Sequence, residues 1–404
     1  MSTQNTPMNY TKEGLMPREE TLEVARKKQE LKIGIPKESF QDEGRIGLTP
    51  LGVELLVNNG HQVIIESNAG FAANFDNHDY SEKGAIITEN KQEVFNCDIV
   101  LKVGPVSKEE IEMLRGNQIL FSSVHIRAQK EDYLLGLIKK RVTAIGFEYL
   151  KDENDCYPVV RSMSEIAGKT SVLVAAEYLS NAHKGKGEMM GGITGVKPTE
   201  VVILGAGTAG EYAARTALGL GAMVKVFDAS VFKLRRLQSN LGHYIFTSII
   251  QPKVVASALK TADVAIGAIR YPENSTPFMV SEEIVKQMKK NSIIVDISID
   301  QGGCFETSRI TSHNNPVYNQ FGVIHYCVPN AAARVARTAS YAISNIFTPL
   351  LMELAGAGDV KNLIKQNPGV RNGVYLYNGI LTNSQMGNLF DISSKDIDLL
   401  LAAF

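Results

Sequence analysis

Six residues, Gly205-Ala206-Gly207-Thr208-Ala209-Gly210, have the types and the spacing to hold a dinucleotide. In such a turn the first glycine makes the tight bend. The second lets the main chain approach a pyrophosphate, and the third lets the following helix pack closely on the preceding strand. The pattern alone occurs in other α/β turns, but here its context is complete. It follows the apolar run Val201–Leu204 and opens a segment with Ala213, Ala214 and Ala217 at helical spacing. Thr208 and Ala209 therefore start a helix whose N-terminus faces the phosphates. Asp228 closes the next apolar run, Met223–Phe227, where a carboxylate meets the ribose hydroxyls. A carboxylate there repels a 2′-phosphate, so the expected cofactor is NAD rather than NADP. Lys233, close by, works against that preference.

A second group of residues suits a small acid. Arg45 carries a guanidinium, which grips a carboxylate with two parallel hydrogen bonds. Lys102 lies in the apolar run Ile99–Val103, where an ammonium needs a partner or a task. It either holds a substrate carboxylate and polarises a keto oxygen, or is an edge-strand lysine. His125 follows the run Ile119–Ser122, at the end where open α/β sheets place ligands, and an imidazole exchanges protons near neutral pH. Asp300 follows Ile293–Ile297 and precedes Gly302-Gly303, placed to orient water or ammonia; Asp296, inside that run, reads as structural. Taken singly, Arg45 also reads as a solvated loop arginine and His125 as a hydrogen-bonded structural histidine.

The elements that must position these groups alternate in kind. Short apolar runs at Leu31–Ile35, Gln62–Ile65, Ile99–Val103, Ile119–Ser122 and Thr143–Phe147 read as strands, with a helix over Pro50–Asn59 stopped by Gly60. A second series, Glu200–Leu204, Met223–Phe227, Val264–Ala268, Ile293–Ile297 and Val323–Tyr326, reads the same way. Alternation of this kind predicts an α/β fold of two Rossmann-like domains, each a parallel sheet flanked by helices. Long helices are expected over Glu165–Ser180 and Thr338–Ala355, the glycine-rich stretch Asn181–Pro198 as a mobile connection, and Glu211–Leu220 as the helix behind the dinucleotide turn. The expected division is an N-terminal arm over 1–30, helix-prone from Arg18, a substrate domain over 31–158 plus 337–404, and an NAD-binding domain over 159–336.

Composition narrows the partners. The 404 residues are 44% hydrophobic and 21% charged, with 42 basic and 43 acidic residues and a net charge of −1. That balance carries no nucleic-acid footprint and favours a small-molecule substrate. No apolar run reaches the roughly 18 residues of a membrane span. The polar N-terminus has no signal-peptide core. Cys97, Cys156, Cys304 and Cys327 stand far apart with no C-x-x-C pair, so no metal site is expected and a reducing, cytoplasmic setting is.

The stretches Ile33-Gly-Ile-Pro-Lys-Glu38 and Arg45-Ile-Gly-Leu-Thr-Pro50 resemble the start of alanine dehydrogenases and of the related nicotinamide nucleotide transhydrogenase domain. So do Val100-Leu-Lys-Val103, Leu120-Phe-Ser-Ser-Val-His125, Met163-Ser-Glu-Ile-Ala-Gly168 and Val295-Asp-Ile-Ser-Ile-Asp-Gln-Gly-Gly-Cys304, in order along the chain. The resemblance implies two domains around a cleft that holds the active site, and a homohexamer that interconverts L-alanine and NAD with pyruvate, ammonium and NADH. It places the substrate carboxylate on Arg45 and Lys102 and proton handling on His125 and Asp300. It adds Ser164 and Asn330 as cofactor contacts, Asn330 near the nicotinamide. The chain departs from the family's pattern where Asn330-Ala331-Ala332-Ala333-Arg334 replaces Asn-Met-Pro, in the loop Ile269-Arg270-Tyr271-Pro272-Glu273, and in its N-terminal arm. A transhydrogenase-type subunit, which would not need the small-acid group, and a catalytically silent NAD-binding protein, which the altered loops permit, are the competing expectations.

Overall fold

A computed structural model describes residues 30–39, 42–270 and 279–403. The expected arm over 1–30 (save Glu30) and the expected loop residues Tyr271–Glu273 lie outside the described residues.

The chain forms two sheets. The first contains β1 (Lys32–Ile35), β2 (Gln62–Glu66), β3 (Ile86–Thr88), β4 (Ile99–Leu101), β5 (Ile119–Ser122) and β6 (Thr143–Gly146). The second contains β7 (Glu200–Leu204), β8 (Met223–Asp228), β9 (Phe246–Ile249), β10 (Val264–Gly267), β11 (Ile293–Asp296), β12 (Val317–Gln320) and β13 (Val323–Tyr326). Two late strands, β14 (Val374–Tyr377) and β15 (Ile380–Leu381), return to the first. The spatial orders are β15-β14-β6-β5-β4-β1-β2-β3 and β12-β13-β11-β10-β7-β8-β9. Strands pair in parallel except at the β14, β15 and β12 edges.

Central strands such as β4, β6, β7, β10 and β11 are buried along their whole length, as strands covered by helices on both faces must be. Each sheet accordingly carries apolar packing on both sides, with Phe121, Phe147 and Phe347 in contact under the first.

Two long helices join the sheets. Pro158–Leu179 carries the chain from the first to the second, and Ala336–Ala357 carries it back. The first of these starts well before the expected Glu165, because Pro158 at its opening position has its ring already in helical geometry and Val159 is buried. Within the glycine-rich stretch after it, Lys186 is anchored: its ammonium meets Asp263 at 2.7 Å and Glu188 at 2.8 Å.

In both sheets the order reverses at one place. β1 lies between β4 and β2, and β7 lies between β10 and β8. Connections leave in opposite directions there, opening a crevice outside the C-terminal ends of the strands. The fold thus predefines two crevices, beyond β1/β4 and beyond β7/β10.

Candidate active site

At the β7/β10 crevice the Gly205–Gly210 turn has the geometry that a dinucleotide demands. Gly205 has φ +111°, and a Cβ there would stand 2.3 Å from the Ala268 carbonyl beyond β10. A Cβ on Gly210 would stand 1.9 Å from the Gly205 carbonyl, so helix Thr208–Gly219 can begin where it does only with hydrogen at that position. A Cβ on Gly207, by contrast, would meet nothing within 4 Å. The second glycine therefore faces open space, at the N-terminus of a helix, which fits a phosphate pressed against the backbone.

Asp228, 7% exposed, lies beside the turn. Its Oδ2 accepts the Ala206 N–H at 2.8 Å and its Oδ1 accepts the Ser230 N–H at 2.8 Å. The carboxylate thus ties the turn to β8 while each oxygen keeps a further lone pair. Lys233 is exposed on helix Val231–Leu241. Ser164 sits half-buried on helix Pro158–Leu179, one turn before Gly168. A Cβ on Gly168 would come within 2.2 Å of the Ala209 carbonyl, so the face carrying Ser164 crosses close to the dinucleotide turn.

At the β1/β4 crevice, Glu38 follows β1 and Lys102 follows β4. Lys102 was expected inside its strand, but β4 ends at Leu101 and Lys102 is the first residue beyond it. Its side chain has no exposure, and Nζ lies 3.0 Å from Glu38 Oε2, 3.0 Å from Ser39 Oγ and 3.3 Å from the Pro105 carbonyl. Glu110, itself paired with Lys91 at 2.7 Å, approaches Lys102 at 3.4 Å. A buried ammonium is tolerated because carboxylates surround it. Glu38 also accepts the N–H groups of Val103 at 2.6 Å and Gly104 at 3.1 Å. Burial still dominates, and with Glu43 nearby the Glu38 carboxyl rises from 4.5 to about 7 in spite of Lys102 and its amide donors.

Arg45, expected to grip a substrate carboxylate with its two-pronged fork, already grips one. Nε and Nη2 donate to Glu43 at 2.7 and 2.5 Å, while Nη1 rests on Met163 Sδ at 3.2 Å. A guanidinium that is 6% exposed needs such a partner, and Glu43 is two residues away. Burial pushes the Glu43 carboxyl up, but Arg45 outweighs it and holds it below the usual carboxylate range.

Glu43 also joins the two sheets, since its Oε2 accepts from Asn330 Nδ2 at 3.0 Å. Asn330 follows β13, and its N–H reaches Asp300 at 3.4 Å. Asp300, beyond β11, is raised above the ordinary aspartate range by burial, against the pull of the Asn330 amide, His125 and Arg45. Asp296 is tied to Ser298, Cys304 and Ser308 by three hydrogen bonds, as its structural reading requires.

His125, past β5, is exposed and has φ +49° and ψ +52°. Arg45, Asp300, His125 and Asn330 therefore meet at one interdomain cleft, with Lys102 on its first-sheet side. Glu43 and Glu38, which were not singled out from the sequence, hold the two cations. Glu43 was detectable only as the nearest carboxylate to Arg45. A cavity of about 300 Å³ opens between Lys37, Glu38, Glu43, Asn68, Ala69 and Phe71, and a second of about 460 Å³ runs from Glu43 to His313 and Arg334.

Two Rossmann-like units facing each other across a cleft, one with a dinucleotide turn and the other with buried cations, define a nicotinamide-dependent dehydrogenase architecture. The family models described as the alanine dehydrogenase/PNT N-terminal and C-terminal domains match residues 34–167 and 171–384, and the chain belongs to that family. It is 39% identical over 362 residues to an alanine dehydrogenase of Methanococcus maripaludis, covering 89% of this chain and 96% of that one. It is 37% identical over 369 residues to alanine dehydrogenase 2 of Staphylococcus aureus, covering 91% and 99%. A solved L-alanine dehydrogenase superposes with a TM-score of 0.84 at 35% identity, over 89% of this chain and 99% of that one. A transhydrogenase from Sinorhizobium meliloti shares the fold at TM-score 0.73 and 24% identity, over 87% and 98%.

Proposed function

We propose that the chain catalyses the reversible NAD-dependent oxidative deamination of L-alanine to pyruvate and ammonium. The observation that carries this reading is the meeting of two buried cations, Arg45 and Lys102, with Asp300 and His125 at a cleft shared with a dinucleotide turn. Likeness to alanine dehydrogenases over most of the chain supports the same substrate.

The residues divide the work. Arg45 keeps Nη1 for a substrate carboxylate while Glu43 holds its other edge. The arriving negative charge favours a proton on Glu38, which already titrates near neutrality, and so turns Lys102 toward the substrate. Bound on Gly205–Gly210, with Ser164 and Asn330 as further contacts, the nicotinamide cofactor supplies the hydride acceptor and donor. His125 passes protons to and from the water and amine at the substrate carbon, and Asp300 steadies the positive charge that develops there. Holding these groups in place before reaction supplies most of the rate.

NADH oxidation with pyruvate plus ammonium is the test. Turnover is expected, with kcat/KM for NADPH lower by about 10²-fold because Asp228 would face the 2′-phosphate. NADH binding without turnover would leave a silent NAD-binding protein, and hydride transfer only to a nucleotide analogue would leave a transhydrogenase.

A homo-oligomer, by resemblance a hexamer, in the cytoplasm completes the proposal. The exposed side chains of Met189, Ile193 and Val196, at 67%, 65% and 57%, supply apolar surface for self-association. Light scattering should give a multiple of the 44.1 kDa chain mass, and a monomer at micromolar concentration would rule assembly out.

A further inference from the structure

We infer that Glu148 is a positioning residue for the reaction, fixing the backbone from which His125 works; this rests on the reading of His125 as the proton carrier. Glu148 follows β6, and its Oε1 accepts two successive amides of the neighbouring loop, Val124 N–H at 2.7 Å and His125 N–H at 3.1 Å. The residue so held is in the left-handed region, at φ +49°. A β-carbon there crowds the following carbonyl, so the conformation persists only where surrounding contacts impose it. Other bonds anchor the loop on either side: Ser123 N–H and Oγ donate to the Val103 carbonyl at 3.2 and 2.7 Å, Gln129 Nε2 donates to the Val124 carbonyl at 2.9 Å, and Ala128 N–H donates to the His125 carbonyl at 2.8 Å. Among the described residues, Glu148 alone holds the two amides at the turn itself.

What stands behind Glu148 is unusual for a core. Its Oε2 is shielded from solvent, and so are the hydroxyls of Ser122, Tyr133 and Tyr375; none makes a well-shaped hydrogen bond among the described residues. The four belong together: the Tyr133 and Tyr375 ionisations each respond to the other tyrosine, to Ser122 and to the Glu148 charge. Burial pushes the Tyr133 hydroxyl up to about 12 and Tyr375 well above its ordinary value, so both stay protonated and able to donate at neutral pH. Tyr375 reaches this place through a register shift of β14 against β6, where Val374 pairs with Ile145 and Leu376 with Ala144, leaving Tyr375 as the extra residue. Such bulges re-aim a side chain. Buried polar groups that are poorly matched weaken a core, so phenylalanines here would serve packing alone better. The cluster gives the carboxylate a polar seat, and the carboxylate in turn sets the His125 turn.

The test compares Glu148→Ala with Glu148→Gln, which keeps a carbonyl oxygen for the two amides. In the full-length protein, Glu148→Ala should lower kcat for pyruvate and ammonium by about 10²-fold. KM for NADH should stay within about threefold and the melting temperature should show a folded chain. Glu148→Gln should recover most of kcat. Unchanged kcat in the alanine variant, or equal losses in both variants, would overturn the proposal. If the wild-type protein itself does not turn over these substrates, the activity reading fails separately. The positioning role is then decided by crystal structures of the two variants: His125 should leave the left-handed region with alanine at position 148 and keep it with glutamine. The same turn in both structures would overturn it.

Discussion

His125→Ala should lower turnover of pyruvate and ammonium by about 10³-fold, the middle of the range for a lost proton-transfer group, while NADH binding and the melting temperature stay near wild type. The expectation of an intact fold follows from the exposure of the side chain and from its backbone, which is held by main-chain and Glu148 contacts that alanine keeps. A secondary effect has a definite sign. Asp300 is raised by burial and lowered by His125 whenever the ring is charged. Removing the ring takes away one lowering influence, so residual activity that depends on ionised Asp300 should have its acid limb moved to higher pH. A variant with unchanged kcat would remove His125 from the chemistry. A variant that fails to bind NADH would mean that its role is in holding the cofactor.

The fold was legible because its signals are local. Apolar runs bounded by turn residues mark β1, β2, β5, β7, β10 and β13 within a residue or so. The strands that escaped, β3, β9, β12, β14 and β15, are short, half-exposed or at sheet edges, where alternation is weak. β14 is fully buried, but its partner β6 lies more than 200 residues earlier, and nothing in the Val374–Tyr377 run announces that pairing. The site divides in the same way. The Gly205–Gly210 turn and Asp228 form a local unit and could be read as one. Glu38 with Lys102 and Glu43 with Asn330 join residues 64 and 287 apart. Periodicity describes which face a residue occupies, whereas the partner of a buried charge is set by topology. Lys102 could therefore be noticed as an ammonium in need of a partner, and Arg45 only through the family resemblance, while the carboxylates that keep both buried could not be named.

Those carboxylates make Lys102→Met the most informative stability experiment. Methionine fills a similar volume without charge, so the packing around Leu101 and Val103 should survive. Glu38 and Glu110 would then lose a cation that has no solvent exposure, and Glu110 would retain Lys91. Breaking a buried pair from one side costs about 3–5 kcal/mol, against about 0–1 kcal/mol for a surface pair. Turnover should fall with it, given the proposed role of the ammonium in holding the substrate carboxylate. The pH dependence identifies the group responsible. A carboxyl raised on folding from 4.5 to about 7 binds its proton more tightly in the native state. Its contribution to stability is complete below about 4.5 and is lost as pH climbs through 7. Without Lys102 the main lowering influence is gone, the native value climbs further, and the cost at alkaline pH grows. The melting-temperature deficit of Lys102→Met should therefore be widest near pH 8 and shrink toward pH 5.5, where Glu38 is protonated in the folded variant. A deficit that is the same at both pH values would mean that Glu38 does not carry the penalty. Lys102→Arg should not restore the wild type, because the larger, planar guanidinium cannot occupy a seat cut for an ammonium between Glu38, Ser39 and the Pro105 carbonyl.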